Sequence, residues 1–348
     1  MSGGVDSSVA ALMCSQKGFD CIGCTMKLYD NGDIGLSDSR TCCSLEDTED
    51  AGSVARRLGI PYYVFNFGDD FREKIINKFT ASYLEGKTPN PCIDCNRYMK
   101  FDRLYERAKV LGCDYIATGH YARIEKDENG KYLLKKGIDE RKDQSYVLYS
   151  LTQEQLAHTL FPLGGMPKTR VREIAEENGF INASKPNCQD LCFVPDGDDA
   201  SAIERFTGIK PQKGDFLDMQ GNVIGTHLGV IHYTIGQRKG LGTAFGEPRY
   251  VCGISAKDNT VTLGSNSDLF RREVRVGEIN WISGETPQGE FRCTAKIRYN
   301  QKERPAAAIP DGSDRATLIF DEPQRAITPG QSAVFYDGDT VLGGGIIE

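Results

Sequence analysis

The chain of 348 residues is long enough for two or three domains, and its hydrophobic fraction of 39% supports buried cores. It has neither an apolar run of the ~18 residues that span a membrane nor a signal-like N-terminus, so we expect a cytoplasmic protein without a membrane partner. A net charge of −7 argues against non-specific nucleic-acid binding, although a local basic surface stays open. In the reducing cytosol, the twelve cysteines do not indicate a structural disulfide framework.

The first half of the sequence alternates between helical and strand patterns. After an N-terminal loop, Val5, Val9, Leu12 and Met13 fall on one helical face, which Gly18 ends. Ser44 and Asp47 resemble a capping box for the next helix. Further along, the patterns predict strands at 19–29, 60–67 and 113–118 and helices at 51–58, 71–86 and 101–111. This alternation indicates an α/β doubly wound parallel sheet, in which ligands bind beyond the carboxyl ends of the strands.

The second half is rich in short alternating runs separated by Gly, Asn or Asp turns. The segments 213–229, 248–264 and 332–347 are typical of β-hairpins. We therefore predict a catalytic domain at 1–200, a small central β-domain at 201–270 and a C-terminal β-barrel at 271–348.

The first strong motif is the N-terminal loop itself, MSGGVDSS at 1–8. Small residues where a helix begins can present several backbone N–H groups to a phosphate. The loop is not a Walker A motif, because no Gly-Lys-Ser/Thr follows. It resembles the pyrophosphate loop of ATP pyrophosphatases, and the alternative is an ordinary glycine-rich turn. Because such a loop follows a buried strand, we expect the natural protein to carry a further strand upstream of Met1.

The second motif is TPNPCIDCN at 88–96. Asn90 suits a helix N-cap and Pro91 the first helical position, which places Cys92 and Cys95 on one face of the first turn. The helix N-terminus favours thiolate, so we predict reactive cysteines; inert buried thiols are the alternative. A third stretch adds Cys188 and Cys192, which alone fit packing equally well. We interpret the group Cys21, Cys24, Cys42 and Cys43 as packing residues.

Together these motifs resemble the bacterial tRNA-specific 2-thiouridylases along the whole chain. The matching segments are SGGVDSS at 2–8, NPCIDCN at 90–96, ATGHYAR at 117–123, KDQSYVLY at 142–149, Cys192-Phe193, TIGQRKGLG at 234–242 and TPGQSAVFY at 328–336. The resemblance implies an adenine nucleotide alpha hydrolase-like catalytic domain followed by a small central domain and a C-terminal barrel. It also implies that ATP adenylates the C2 oxygen of the wobble uridine, which sulfur then replaces to give 2-thiouridine, AMP and pyrophosphate.

The same resemblance implies roles for individual residues. Cys95 corresponds to the nucleophile and Cys192 to the cysteine that carries a persulfide, received from a cysteine desulfurase or a sulfur-relay protein. The expected partners are ATP with Mg²⁺ and the tRNAs for Lys, Glu and Gln. The ATP-binding residues implied are Met1, Ser2, Gly3, Gly4, Val5, Asp6, Ser7, Ser8, Met26 and Gly119. Those implied for the target base and tRNA are Asn90, Pro91, Cys92, His120, Lys142, Asp143, Gln144, Arg298, Tyr299 and Gln331.

One residue departs from the family pattern, because many members have Asp at the position of Cys92. Cys92, Cys95 and Cys192 supply three thiols, and a [4Fe–4S] cluster with one open iron is therefore an alternative to the persulfide route. Two other classes fit the loop alone: an amidating synthetase of the same superfamily, and an RNA-binding scaffold with an inactive ATP site. Neither explains a β-rich second half together with two cysteine motifs.

Overall fold

The structure is a computed structural model that describes residues 1–34, 45–185, 191–243 and 245–348. The predicted capping residue Ser44 and the cysteines Cys42, Cys43 and Cys188 lie outside these residues. The helices are α1 Val5–Gln16, α2 Leu45–Leu58, α3 Gly68–Phe71, α4 Asn77–Leu84, α5 Pro91–Asp94, α6 Leu104–Val110, α7 Gln153–Ala157, α8 Lys168–Glu177 and α9 Asp199–Thr207. Two π-helical segments, Arg72–Ile76 and Cys95–Arg103, join α3 to α4 and α5 to α6.

The strands belong to four sheets. They are β1 Gly23–Lys27, β2 Tyr62–Asn66, β3 Ile116–Ala117, β4 Ala122–Lys126, β5 Tyr132–Lys136, β6 Thr159–Leu160, β7 Gly214–Leu217, β8 Val223–His227, β9 Tyr250–Ser255, β10 Thr260–Gly264, β11 Phe270–Trp281, β12 Phe291–Lys296, β13 Arg304–Pro310, β14 Ala316–Arg325, β15 Ser332–Asp337 and β16 Thr340–Ile347. The helices of these described ranges are all too short or too polar to cross a bilayer.

The N-terminal part has the predicted parallel pairing. β1 pairs with β2 from Gly23↔Tyr62 onward, and β3 pairs with β6 from Ile116↔Thr159. Within the described residues these two pairs share no ladder, so the sheet is in two pieces rather than continuous. α1 buries Val5 and Val9 in a core shared with α8, which confirms the predicted apolar face. Because Val5 directly follows residues 1–4, this core also fixes the position of the first loop.

The central part is a four-stranded sheet of order β8-β7-β10-β9. The hairpins β7–β8 and β9–β10 are antiparallel as predicted, and β7 and β10 pair in parallel between them. One face of this sheet packs on a separate small core that contains Phe216, Tyr233, Val251 and Leu263. The alternating pattern in the sequence reflects this one buried face.

The C-terminal part is a closed barrel of six strands in the order β11-β14-β13-β12-β15-β16, with β16 returning to β11. Trp281, Phe320 and Phe335 fill its core. The sequence did not predict that the hairpin β4–β5, from the first half of the chain, extends this sheet through the pair Thr340↔Lys135. Arg123 on β4 also donates to Asp339 at 2.5 Å. The barrel is therefore joined directly to the N-terminal part.

Candidate active site

The loop that precedes α1 is built to hold its backbone in one position. Gly3 has a φ of +68°, and a Cβ there would lie 2.5 Å from the carbonyl oxygen of Asp47, so only glycine fits. Gly4 caps α1 without any side-chain hydrogen bond to the first turn. The leading N–H groups of a helix have no partner inside the helix, so this first turn can donate to an anion.

The loop is held in place by residues distant in sequence. The buried amide of Asn182 donates at 2.9 Å to both the Gly3 carbonyl and the Ser8 hydroxyl. Gly119 packs against the loop so closely that a Cβ would lie 2.7 Å from the carbonyl carbon of Asp6. The family resemblance predicted that Gly119 and the loop both bind ATP, but sequence reasoning missed Asn182, because an isolated Asn gives no pattern.

The cysteine motif forms the predicted helix start. The Asn90 side chain accepts a hydrogen bond from the Cys92 N–H at 3.1 Å, and Pro91 occupies the first helical position. α5 ends after one turn, and the π-helical segment begins at Cys95. The Cys92 side chain is exposed and that of Cys95 is half-buried.

The predicted thiolate character of these cysteines is wrong for this conformation. Although residue Cys92 as a whole is exposed, protein surrounds its thiol, and this desolvation raises the pKa of the thiol to about 11. Burial likewise raises the pKa of the Cys95 thiol. For both thiols desolvation therefore outweighs the effect of the helix N-terminus.

Lys100 opposes this desolvation, and sequence reasoning missed it. In an α-helix, where each residue turns by about 100°, side chains five apart would point about 140° away from each other. The i→i+5 bonding of the π-helical segment brings Lys100 nearly back to the side of Cys95. Its positive charge lowers the pKa of both Cys92 and Cys95, by less than burial raises it. The i, i+5 spacing is a signal only once the π-helix is known.

Cys192 lies on the same hydrophobic cluster as Cys95. Both pack against a core that contains Tyr29 and Phe193, and so does Met26. The Tyr29 hydroxyl donates to the backbone carbonyl of Cys192 at 2.7 Å and fixes the chain there. The structure thus brings together two predicted sulfur residues and one predicted nucleotide contact, from three distant parts of the sequence.

The chain is similar to known proteins along its whole length. Residues 1–196 match the family model described as the tRNA methyl transferase HUP domain. Residues 205–265 match a tRNA methyl transferase PRC-barrel domain and residues 271–347 an aminomethyltransferase beta-barrel domain. A relative from Clostridioides difficile strain 630, named tRNA-specific 2-thiouridylase MnmA, is 53% identical over 100% of this chain and 96% of its own length. The chain belongs to the tRNA-specific 2-thiouridylase family.

Two further members of that family show the same extent of similarity. Relatives of the same name from Acetivibrio thermocellus strain ATCC 27405 and Thermoanaerobacter sp. strain X514 are 50% and 51% identical over 100% of this chain. They are covered over 98% and 96% of their own lengths. The catalytic, central and barrel regions are thus shared with thiouridylases, while domain boundaries near 200 and 270 stay a prediction.

Several residues that the 2-thiouridylase resemblance assigns to tRNA hold the site together instead of lying open on the surface. Asp143 accepts hydrogen bonds from the N–H groups of Gly137 and Ser145, both at 3.1 Å, and Gln144 accepts one from the Tyr121 N–H at 3.1 Å. Lys142 beside them is half-buried. The KDQS motif therefore holds neighbouring backbone segments in place through these side-chain hydrogen bonds.

Arg298 and Tyr299 follow β12 of the barrel. Arg298 donates to the carbonyl oxygens of Ile235 and Ala326 at 3.0 and 3.1 Å, and also to the Thr328 hydroxyl, so it ties the central part to the barrel. Burial raises the pKa of Tyr299, and Asp143 and Cys92 add to the shift. The residue is 37% exposed, and its ring lies 5.9 Å from that of Tyr146.

His120 is buried at the rim, where Thr118 contacts Nδ1 at 2.7 Å and Lys100 lies 3.5 Å from Nε2. Burial, helped by Lys100, holds the pKa of His120 well below its usual value. The unfolded chain then binds a proton that the folded protein does not, so we expect stability to fall as pH drops below about 6.5. This contribution is roughly 1 kcal/mol per pH unit. The free energy of unfolding, measured with urea from pH 7 to pH 5, should depend less steeply on pH for His120→Gln than for the wild type. Equal pH dependence in the two proteins would contradict a neutral buried His120.

Gln331 couples the barrel to the cysteine motif. Its side-chain amide donates to the carbonyl oxygens of Thr88 and Pro89 at 2.8 and 3.4 Å, and the Thr88 N–H donates to Pro329 at 2.9 Å. These bonds set the position of the loop that leads into Asn90.

For Gln331→Met we expect kcat/KM for tRNA to fall roughly tenfold, because the loop loses hydrogen bonds worth about 1–3 kcal/mol. ATP affinity should stay unchanged. Gln324→Met is the matched control, since the Gln324 amide bonds only to its own strand at Glu322. An equal loss in ATP affinity would show that Gln331 acts on general stability.

The three cysteines of the iron–sulfur alternative do not form a metal site as they are placed. Within residues 1–34, 45–185, 191–243 and 245–348, no three Cys, His, Asp or Glu side chains are grouped to hold a metal ion. Cys92, Cys95 and Cys192 all lie in these ranges.

Proposed function

We propose that this protein is a tRNA-specific 2-thiouridylase that adenylates the C2 oxygen of the wobble uridine and replaces it with sulfur. The observation that carries this function is the convergence of Met26, Cys95 and Cys192 on one hydrophobic cluster, in a chain whose first loop suits a phosphate. A methyl transferase, as the family model's description would suggest, needs neither a phosphate loop nor a pair of cysteines.

The first half-reaction uses the loop at 1–8 and Gly119. The N–H groups at the start of α1 face the phosphates and stabilise the negative charge that shifts onto pyrophosphate as the C2 oxygen attacks the α-phosphorus. Mg²⁺, when bound, neutralises phosphate charge; the residue that fits it is Asp6, a carboxylate at the helix start with a side chain 33% exposed. The products are pyrophosphate and a uridine whose C2 oxygen carries AMP, a good leaving group.

The second half-reaction uses the cysteines. Cys192 carries the persulfide received from a cysteine desulfurase or a sulfur-relay protein. The Cys95 thiolate attacks the inner sulfur, so a Cys95–Cys192 disulfide forms and hydrosulfide is released. Hydrosulfide adds to C2 and AMP departs with the bonding electron pair. A thiol reductant then supplies two electrons to restore both cysteines.

In the resting conformation the raised pKa of Cys95 keeps it protonated. We propose that binding of tRNA and ATP changes its surroundings, with Lys100 as the cation that favours the thiolate. Both cysteines must also approach the base, so the segment that leads to Cys192 moves during the reaction.

For tRNA recognition we propose that Asn90, Pro91, Cys92 and Tyr299 contact the target uridine. Tyr299 is 37% exposed, and an aromatic side chain can stack on an unpaired base. His120, Lys142, Asp143, Gln144, Arg298 and Gln331 then shape the pocket around it. By the family resemblance the substrates are the tRNAs for Lys, Glu and Gln, and the reaction takes place in the cytoplasm.

Pyrophosphate release distinguishes this function from the amidating alternative. We expect unmodified tRNA for Glu to stimulate release from ATP, while glutamine and ammonia have no effect. Stimulation by glutamine or ammonia but not by tRNA would favour an amidating synthetase.

The sulfur route is tested by anaerobic purification followed by iron analysis. Protein free of iron should thiolate tRNA at full rate when given a persulfide donor. Activity that follows iron content would favour the cluster alternative.

A further inference from the structure

Lys168 is a buried cation that contacts the phosphate loop, and neither the sequence motifs nor the proposed reaction uses it. It begins α8, and its side chain is only 9% exposed. Its Nζ lies 2.5 Å from Oδ1 of Asp6, the single acidic residue of the loop. A buried ammonium group is costly unless it is paired, so this position depends on Asp6.

Tyr121 reinforces the same contact. Its hydroxyl donates at 2.6 Å to Oδ1 of Asp6, the oxygen that Lys168 also contacts. The Lys168 ammonium lies 5.7 Å from the centre of the Tyr121 ring, so the three groups form one compact unit. We call this unit the Asp6 clamp.

In the Asp6 clamp the two carboxylate oxygens of Asp6 have different hydrogen-bond partners. Both donors contact Oδ1, and the described residues place no hydrogen-bond donor on Oδ2. The Asp6 side chain remains 33% exposed. Meanwhile the backbone of Asp6 is confined by Gly119, where a Cβ would come within 2.7 Å. Asp6 is therefore fixed in orientation with one oxygen available.

The charges of the Asp6 clamp are also compatible with binding of a metal–nucleotide complex. An isolated carboxylate next to the loop would repel a triphosphate. The positive charge of Lys168 neutralises this carboxylate and so removes the repulsion. An ion such as Mg²⁺ prefers carboxylate oxygens and is held by one or two of them together with phosphates. A carboxylate with one oxygen anchored and one open suits this role.

We propose that Lys168 is a positioning residue for adenylation: it anchors Oδ1 of Asp6 so that Oδ2 binds the metal ion that accompanies ATP. Tyr121 is the second anchor. The proposal rests on the proposed function only in that ATP with a divalent cation is the ligand.

The test measures metal binding directly, without tRNA. Electron paramagnetic resonance reports Mn²⁺ bound to enzyme saturated with a non-hydrolysable ATP analogue. We expect Lys168→Met to weaken Mn²⁺ binding roughly tenfold or more and Tyr121→Phe about threefold, since a charged anchor contributes more than a neutral one. Lys168→Arg keeps a charged donor and should retain most of the wild-type affinity. Metal-free binding of the analogue should change less than about twofold for Tyr121→Phe and Lys168→Arg.

The control is Arg170→Met on the same helix, because Arg170 is exposed and pairs only with Glu173 and Glu177. Unchanged Mn²⁺ affinity in Lys168→Met overturns the proposal, and so does an equal loss of metal-free analogue binding, which would mean that Lys168 contacts phosphate itself. If Lys168→Met fails to fold, Tyr121→Phe decides by the same criteria. A wild-type protein that binds Mn²⁺–ATP but never thiolates tRNA would refute the proposed function and leave this inference standing.

Discussion

Cys192→Ser should abolish tRNA thiolation while ATP-dependent pyrophosphate release in the presence of tRNA stays within about twofold of wild type. A serine hydroxyl cannot carry a persulfide, so the sulfur step loses its carrier. The phosphate loop, where we propose that adenylation takes place, is held by the Asn182 amide and by close packing against Gly119. We expect thiolation to fall by at least about 1,000-fold, since loss of a covalent nucleophile costs on this order or more.

The two half-reactions are measured separately, pyrophosphate release by a coupled assay and thiolation by retardation of tRNA on a mercury-containing gel. Cys252→Ser is the matched control, because Cys252 is also half-buried but lies in the central sheet. Loss of both half-reactions in Cys192→Ser would show that Cys192 has a structural role in the cluster around Phe193.

Gly119→Ala should weaken ATP binding by about 5- to 150-fold, which corresponds to the roughly 1–3 kcal/mol that overpacking costs. The new Cβ would lie 2.7 Å from the Asp6 carbonyl carbon and 2.9 Å from the Ser7 nitrogen. Both are backbone atoms, so a side-chain rotation cannot relieve the contact. The loop must shift, and the first-turn N–H groups lose their alignment with the phosphates.

Isothermal titration calorimetry with a non-hydrolysable ATP analogue measures this loss. Gly165→Ala is the control, because a Cβ at Gly165 meets nothing within 4 Å. Wild-type affinity in Gly119→Ala would contradict a rigid loop packed against Gly119.

Local features of the site were predictable from the sequence. The glycine-rich loop, the Asn90 cap with Pro91 and the hairpins of the second half depend on neighbouring residues, and the structure has each of them. Family resemblance supplied what local patterns could not, namely the prediction that Cys95 and Cys192 belong to one site; in the structure both pack against one hydrophobic cluster.

The features that were missed all depend on contacts between distant residues. Asn182 reaches Gly3 across 179 positions, and Lys168 reaches Asp6 across 162. Neither has a spacing or composition that marks it. The prediction of a Cys92 thiolate is wrong for the same reason. The helix cap that favours a low pKa is local, whereas the desolvation that raises the pKa comes from tertiary packing.

In the barrel, too, local features were predictable and contacts between distant residues were not. Alternating residues predicted its hairpins, but not that β4–β5 would extend the sheet or that Gln331 would hold the loop before Asn90. These contacts make the C-terminal part a support for the cysteine motif.

The central claim is tested most directly by mass spectrometry of unmodified tRNA for Glu after incubation with the enzyme, ATP and a persulfide donor. We expect the wobble uridine to gain the mass of one oxygen-to-sulfur replacement, only when ATP is present, with AMP and pyrophosphate formed in equal amounts. An unchanged wobble uridine, or one that gains the mass of a methyl group, would contradict it.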